Sequence, residues 1–143
     1  MIDISSKKPV ERVASAGGTI RLRKSTIESI RKSEVKKGDV LTVARVAGLG
    51  AVKQTWSIIP YCHQIPVEAA EISFEINEDR IVVRCEVRAF YKTGVEMEAL
   101  AGASVALLTV WDMVKYLEKD DSGNYPETGI SEIRVLSKTK MAK

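Results

Sequence analysis

The chain has 143 residues, of which 45% are hydrophobic and 29% charged, and its formal net charge is +3. These values predict one soluble globular domain over residues 1–143, and so weak a positive charge gives no support for nucleic-acid binding. Cys62 and Cys85 are too few for a disulfide framework. We find no apolar signal region and expect no membrane-spanning segment, so a cytoplasmic location is expected.

Hydrophobic periodicity predicts the order of the secondary-structure elements. The patterns predict, in chain order, a polar N-terminal arm over residues 1–12, a strand over 13–22 with a bend at Gly17-Gly18, a short helix ending near residue 33, a helix over 39–59, strands over 67–76 and 81–91, a long helix after Gly94 and a strand over 130–136. Residues 137–143 are expected to form a mobile tail. This order is that of an α+β, ferredoxin-like fold with helices packed on one face of an antiparallel sheet.

Local sequence signals set several of these boundaries. Ser25 or Thr26 is the expected N-cap of the short helix, and Asp39 is the expected N-cap of the second helix. Pro60 ends that second helix. The residues Asn77-Glu78-Asp79 have turn chemistry and predict a hairpin between the two middle strands.

Several residues are interpreted by their role in packing. Trp56, Trp111 and Met113 are assigned to the hydrophobic core. Gly48 and Gly50 weaken the second helix, which indicates that its backbone packs closely against a neighbour at these positions.

The long helix combines a buried stripe with charged residues. The stripe consists of Leu100, Ala103, Leu107, Val110, Val114 and Leu117. The charged residues are Glu96, Glu98, Asp112 and Lys115. Glu98 and Asp112 project within roughly 40° of each other but lie about 21 Å apart along the helix axis. They are therefore two separate features, or they belong to a site completed by a second subunit; we favour the shared site.

Common catalytic signatures are absent: the chain has no Gly-rich phosphate loop, GxSxG, CxxC or HExxH motif. Each charged candidate also has an ordinary structural interpretation. Asp112 and Lys115 can form a surface ion pair, and Glu96 and Glu98 can stabilise a helix N-terminus. One histidine with two cysteines cannot close a tetrahedral zinc site, so no metal site is expected.

Several long blocks of sequence nevertheless resemble one known family. The blocks are KGDV at 37–40, TVARVAG at 42–48, KQTW at 53–56, IPYCH at 59–63, KTGVEMEAL at 92–100, ASVA at 103–106 and WDMVK at 111–115. Together they resemble molybdenum cofactor biosynthesis protein C, the cyclic pyranopterin monophosphate synthase. The resemblance extends over nearly the whole chain, beginning at Asp3-Ile4-Ser5.

The resemblance implies a phosphorus–oxygen lyase without a metal or organic cofactor. Its substrate would be (8S)-3′,8-cyclo-7,8-dihydroguanosine 5′-triphosphate, which rearranges to cyclic pyranopterin monophosphate with release of diphosphate. The implied assembly is a homohexamer built from dimers, with the active site between subunits. A transient contact with the upstream radical enzyme is a further expectation; no nucleic-acid or membrane partner is implied.

Residue roles follow from the matching positions. The resemblance implies catalytic roles for Asp112, Lys115 and Lys37, and substrate binding by Tyr61, Cys62, His63, Glu96, Met97, Glu98 and Arg12. Which catalytic residue is the acid and which the base stays open. The C-terminal end departs from the family because it lacks a glycine-rich lysine tail, so the role of Lys138 is also open.

Two alternatives compete with this interpretation. The first is a non-catalytic ferredoxin-like module that binds nucleotides or regulates a partner. The second is a pterin-forming enzyme that acts directly on GTP. Enzymes of the second kind usually use Cys/His metal ligands, whereas this chain has one histidine.

Overall fold

A computed structural model describes residues 1–142 of the chain. Its elements are, in chain order, β1 (Val10–Arg21), α1 (Lys24–Arg31), α2 (Val40–Ile58), β2 (Ala69–Ile76), β3 (Arg80–Tyr91), α3 (Glu96–Glu118) and β4 (Gly129–Met141). The strands form one antiparallel sheet in the order β2-β3-β1-β4. The α+β, ferredoxin-like fold predicted from the sequence is confirmed.

The core lies between the sheet and the two long helices. Every second side chain of β3 is buried against the helices, namely Ile81, Val83, Cys85, Val87 and Ala89. On α3 the predicted stripe is buried at Ala103, Leu107, Val110 and Val114 and half-buried at Leu100 and Leu117. The sequence pattern therefore identified the face of α3 that packs on the sheet.

Helix α3 also passes a simple test for a membrane span. Its 23 residues have an apolar window with a mean hydropathy of 1.4, contrary to our expectation that no segment would qualify. Half of that window is buried inside the protein. Packing of α3 against α2 and the sheet explains its apolar character as that of a core helix in a soluble domain.

Helices α2 and α3 approach most closely at a pair of glycines. A Cβ atom on Gly102 would lie 2.6 Å from Val52 Cγ2 and 2.7 Å from Cys85 Sγ. A Cβ atom on Gly48 would lie 2.9 Å from the carbonyl oxygen of Gly102. The interpretation of Gly48 is confirmed, but that of Gly50 is wrong, because no atom of a packing neighbour among residues 1–142 lies within 4 Å of a Cβ built there.

Of the three large side chains assigned to the core, one is buried, one is partly buried and one is exposed. Met113 is buried and Trp111 is partly buried against the core. Trp56 is 38% exposed, so its assignment to the core is wrong. The neighbouring residue Thr55 takes the inward position on α2, which turns Trp56 toward the surface.

The caps of the first two helices differ in kind. The Asp39 carboxylate accepts a hydrogen bond from the Thr42 backbone N–H at 3.1 Å, as predicted. The predicted cap of α1 is wrong, because α1 begins at Lys24 with Arg23 as its N-cap residue and no cap from its own side chain. The buried carboxylate of Glu118, at the end of α3, accepts the Arg23 backbone N–H instead, at 3.1 and 3.3 Å.

Both ends of the chain are more ordered than predicted. Strand β1 begins at Val10, inside the expected arm, and β4 continues to Met141, through most of the expected tail. Residues 137–141 pair with residues 11–15 of β1, so backbone pairing holds a segment whose polar sequence gave little strand signal. The tail expectation is therefore corrected for these residues; Lys143 lies outside the described part of the chain.

Candidate active site

A cavity of about 510 Å³ opens at the N-terminal end of α3. Its walls come from the first residues of the chain, from the loop after α2, and from the segment that begins α3. The predicted substrate-binding residues in its lining are Tyr61, Cys62, His63, Glu96, Met97 and Glu98. Residues that are distant in sequence thus meet around one space, as the interpretation of a binding site required.

Glu98 is the buried acid of this cavity. The residue is only 3% exposed, yet it belongs to the cavity lining. Burial raises the pKa of the Glu98 carboxyl group, and the negative charge of Glu96 raises it further. A carboxyl group in this setting binds a proton or a hydrogen-bond donor more readily than an exposed one.

Cys62 and His63 form the opposite part of the wall. Burial, followed by the charges of Glu98 and Glu96, raises the pKa of the Cys62 thiol. A thiol with a raised pKa is less readily converted to the nucleophilic thiolate, and Cys62 contributes contact surface to the cavity wall. The Nε2 atom of His63 lies 2.8 Å from the carbonyl oxygen of Ile2, which ties the N-terminal segment to the cavity wall.

A smaller cavity of about 270 Å³ adjoins the first one and contains Arg12. The two cavities share Gly94 and Glu96 in their linings. Strand β4 adds Lys138 and Lys140, and the Lys138 ammonium lies 3.3 Å from Glu96 Oε1. The smaller cavity is therefore rich in cationic side chains. Of the predicted binding residues, Arg12 lies here rather than in the larger cavity.

A second cluster lies at the C-terminal half of α3. It consists of Asp112 and Lys115 on the helix and Lys37 in the loop between α1 and α2. Lys37 Nζ lies 3.2 Å from Asp112 Oδ2, and Lys115 Nζ lies 3.4 Å from Asp112 Oδ1. The hydrogen bonds from Lys37 and then from Lys115 lower the pKa of Asp112. The Asp112 side chain is 60% exposed, so the cluster is accessible from solvent.

The structure thus groups the predicted residues into two sets rather than one. Neither of the two cavities is lined by a residue of the Lys37–Asp112–Lys115 cluster. Fourteen residues of helix, or about 21 Å of axial rise, separate Glu98 from Asp112. The chain by itself does not bring the two sets together around one small molecule.

Some residues that line the cavities had no firm role in the interpretation of the sequence. Met1, Ile2, Asp3, Ile4 and Lys7 line the larger cavity, although we interpreted this segment as a polar arm and gave none of these residues a role in the site. Lys138 joins the site through Glu96. Lys138 aligns with a lysine in the C-terminal tail of the family it resembles, which was the one signal for it in the sequence. No comparable signal marked Met1 or Ile2.

The described residues 1–142 contain no group of three or more His, Cys, Asp or Glu side chains arranged to hold a metal ion. The ionisable groups available at the two cavities and the exposed cluster are carboxylates, lysines, one arginine, one histidine, a tyrosine and a thiol. These groups can bind an anionic ligand, donate hydrogen bonds and transfer protons.

Replacing Glu98 by glutamine should stabilise the fold at neutral pH. Because the pKa of Glu98 is raised in the folded state, keeping it ionised costs stability as pH rises above the ordinary glutamate range. We expect thermal unfolding of Glu98→Gln to shift upward by about 2–4 °C at pH 7 and by less at pH 4. The control Glu78→Gln, whose side chain is 87% exposed and does not contribute to the Glu98 pKa, should show no such gain. An equal shift at both pH values would contradict the role of ionisation.

The chain is similar to known proteins over nearly its whole length. The model of the MoaC family matches residues 1–140. A probable cyclic pyranopterin monophosphate synthase from Pyrococcus furiosus is 56% identical over 98% of this chain and 90% of its own length. The same name belongs to a protein from Archaeoglobus fulgidus, 55% identical over 100% and 92% of the two chains. A protein from Methanothermobacter thermautotrophicus, 54% identical over 99% and 89%, is named a probable accessory protein of that synthase. The chain belongs to the MoaC family.

Proposed function

We propose that the protein is a cyclic pyranopterin monophosphate synthase of molybdenum cofactor biosynthesis. It converts (8S)-3′,8-cyclo-7,8-dihydroguanosine 5′-triphosphate to cyclic pyranopterin monophosphate and diphosphate. The observation that carries this proposal is the meeting of Tyr61, Cys62, His63, Glu96, Met97 and Glu98 around one cavity. Relatives of that name, 54–56% identical over nearly the whole chain, support it.

The larger cavity binds the guanine-derived ring in this proposal. Its volume of about 510 Å³ lies within the range of small-molecule sites. The buried Glu98 carboxyl group faces the N–H edge of the ring, where a charge-assisted hydrogen bond is strong. Met97 and Tyr61 supply apolar surface at the rim, and His63 is available to orient the ligand.

The neighbouring smaller cavity receives the phosphates. Arg12, Lys138 and Lys140 give it the positive charge that a triphosphate requires. Glu96 stands between the two cavities and holds Lys138 in a 3.3 Å ion pair. A bound phosphate would compete with the Glu96 carboxylate for the same ammonium group, so ligand binding frees Glu96 to contact the sugar or ring.

Asp112 and the two lysines perform proton transfer. The hydrogen bonds from Lys37 and Lys115 lower the pKa of Asp112 and keep its carboxylate ionised, and we assign this carboxylate as the proton acceptor. The ammonium groups of Lys37 and Lys115 are then the donors, and they also stabilise negative charge on the departing diphosphate. The rearrangement needs both functions, because protons move on and off ring nitrogens and sugar oxygens.

The two sets of residues meet between subunits of a homo-oligomer. Met97 and Leu108 are 39% and 57% exposed and project within about 20° of each other on the outer face of α3. This apolar face runs from the Glu98 end of the helix toward the Asp112 end. A contact of two such faces about a twofold axis perpendicular to α3 would set the helices antiparallel, so that Asp112 of one chain would approach the Glu98 cavity of the other.

Further expectations attach to this proposal. Dimers formed in this way assemble into a hexamer in the cytoplasm, as the family resemblance implies. The substrate arrives from the upstream radical enzyme by a transient contact. Size-exclusion chromatography with light scattering measures the assembly, and a monomer at micromolar concentration would contradict the shared site.

One assay separates the proposed function from its alternatives. Purified protein is incubated with the cyclic GTP derivative, and diphosphate is measured together with the pterin product; GTP replaces the derivative in a parallel reaction. We expect both products from the derivative and none from GTP. Binding without turnover would favour the accessory or regulatory alternative, and turnover of GTP would favour a cyclohydrolase.

A further inference from the structure

The loop that carries Lys37 connects α1 to α2 and is anchored on both sides of that residue. Before Lys37, the side chain of Val35 is buried in the core. After it, Gly38 adopts a φ of +113°, a left-handed conformation that favours glycine, and its N–H donates to the Val35 carbonyl at 3.1 Å. Asp39 then caps α2. The turn is thus held to the core and to α2.

A further anchor comes from α3 and involves Tyr116. The Tyr116 hydroxyl accepts a hydrogen bond from the backbone N–H of Lys36 at 2.8 Å. The Lys36 ammonium lies 5.6 Å from the centroid of the Tyr116 ring, within cation–π range. Tyr116 therefore contacts both the backbone and the side chain of Lys36, the residue immediately before Lys37.

The position of Tyr116 on α3 gives this contact its significance. Tyr116 follows Lys115 directly and lies one helical turn after Asp112, on the same 23-residue helix. The hydrogen bond therefore joins the turn of α3 that presents Asp112 to the backbone that presents Lys37. At its other end, the Lys37 side chain donates to the Asp112 carboxylate at 3.2 Å and to the Asp112 carbonyl at 3.0 Å.

We propose that Tyr116 is a positioning residue, whose hydroxyl holds the Lys36–Lys37 backbone at the distance from α3 that sets the Lys37 ammonium against Asp112. The inference rests on the proposed function for its catalytic consequence, since Tyr116 acts through Lys37 and contacts no reacting atom. The structural part of the proposal, that Tyr116 holds Lys37 in position against Asp112, requires no assumption about the substrate.

The first test measures that coupling in the absence of substrate. Carboxyl-carbon NMR follows the titration of Asp112 in the parent, Tyr116→Phe and Lys37→Ala proteins. We expect Tyr116→Phe to raise the pKa of Asp112 toward its value in Lys37→Ala, because the hydrogen bond from Lys37 is the largest cause of its depression. The control is Tyr125→Phe, which removes the same hydroxyl from a ring packed edge-on against Trp111. An Asp112 pKa equal in Tyr116→Phe and the parent would overturn the proposal.

The second test measures turnover in a double-mutant cycle. We expect Tyr116→Phe to lower kcat about fivefold with little change in KM, the factor that loss of one ordinary hydrogen bond corresponds to. In the Lys37→Ala background the same substitution should produce no further fall. Equal falls in both backgrounds would overturn the proposal, because they would indicate a structural role unrelated to Lys37. If the parent protein lacks turnover, the proposed function fails, while the NMR test still decides the positioning role.

Discussion

Replacement of Asp112 by alanine should reduce the conversion of the cyclic GTP derivative by about 10²–10⁴-fold, the usual contribution of a general acid–base group. The two lysines lose their shared carboxylate, and the reaction loses the proton acceptor that we propose. Because the Asp112 side chain is 60% exposed, the thermal midpoint should stay close to that of the parent. The control is Asp121→Ala, an exposed aspartate in the loop after α3, which should keep full activity. Unchanged turnover in Asp112→Ala would refute the assignment.

The same variant tests whether the site is shared. When Asp112→Ala and Glu98→Ala chains are mixed in equal amounts and allowed to exchange, half of the dimers are mixed, and each mixed dimer carries one intact site of two. Activity should therefore recover to about a quarter of the parent level. Native mass spectrometry confirms the exchange. Proven exchange without recovery would contradict a site built from two subunits.

Glu118→Ala should lower the free energy of unfolding by about 3 kcal/mol or more, as measured by urea denaturation. This is the largest loss of stability among the variants that we propose. The Glu118 carboxylate is fully buried and accepts the backbone N–H of Arg23 and the hydroxyls of Thr26 and Thr128. Its removal leaves the buried Thr26 hydroxyl and the partly buried donors of Arg23 and Thr128 without their acceptor, and it frees the start of α1 from the end of α3.

A neighbouring acid provides the control for Glu118. Glu127 forms an ion pair with Arg23 at 3.3 Å, and its side chain is 53% exposed. Exposed pairs contribute little, so Glu127→Ala should cost less than about 1 kcal/mol. Similar losses in the two alanine variants would contradict the assignment of Glu118 as a buried connection between helices.

Local signals in the sequence were sufficient for most of the fold. Asp39 caps α2 and Pro60 lies just beyond its end, and the turn at residues 77–79 joins β2 to β3 as predicted. Features that depend on distant partners were missed. The acceptor at the start of α1 comes from Glu118, more than 90 residues away, and residues 137–141 become a strand only through pairing with β1.

In the candidate site, too, features that depend on neighbouring residues could be predicted from the sequence, whereas contacts between distant residues could not. Residues within continuous blocks, such as Cys62-His63 and Glu96–Glu98, were identified from the resemblance and meet at one cavity. The approach of Lys37 to Asp112 depends on a loop and a helix separated by 75 residues, which periodicity cannot reveal. Tyr116 carried no signal in the sequence, because its function lies in a contact with another residue's backbone.

The position of the first residues has a practical consequence for anyone handling the protein. Met1 and Ile2 stand in the wall of the larger cavity, and the carbonyl of Ile2 contacts His63. An affinity tag fused ahead of Met1 would therefore emerge at the mouth of the cavity and compete with incoming ligand. Preparations meant for kinetics or soaking should have such a tag cleaved away, and a tagged sample that looks inactive should be retested after cleavage.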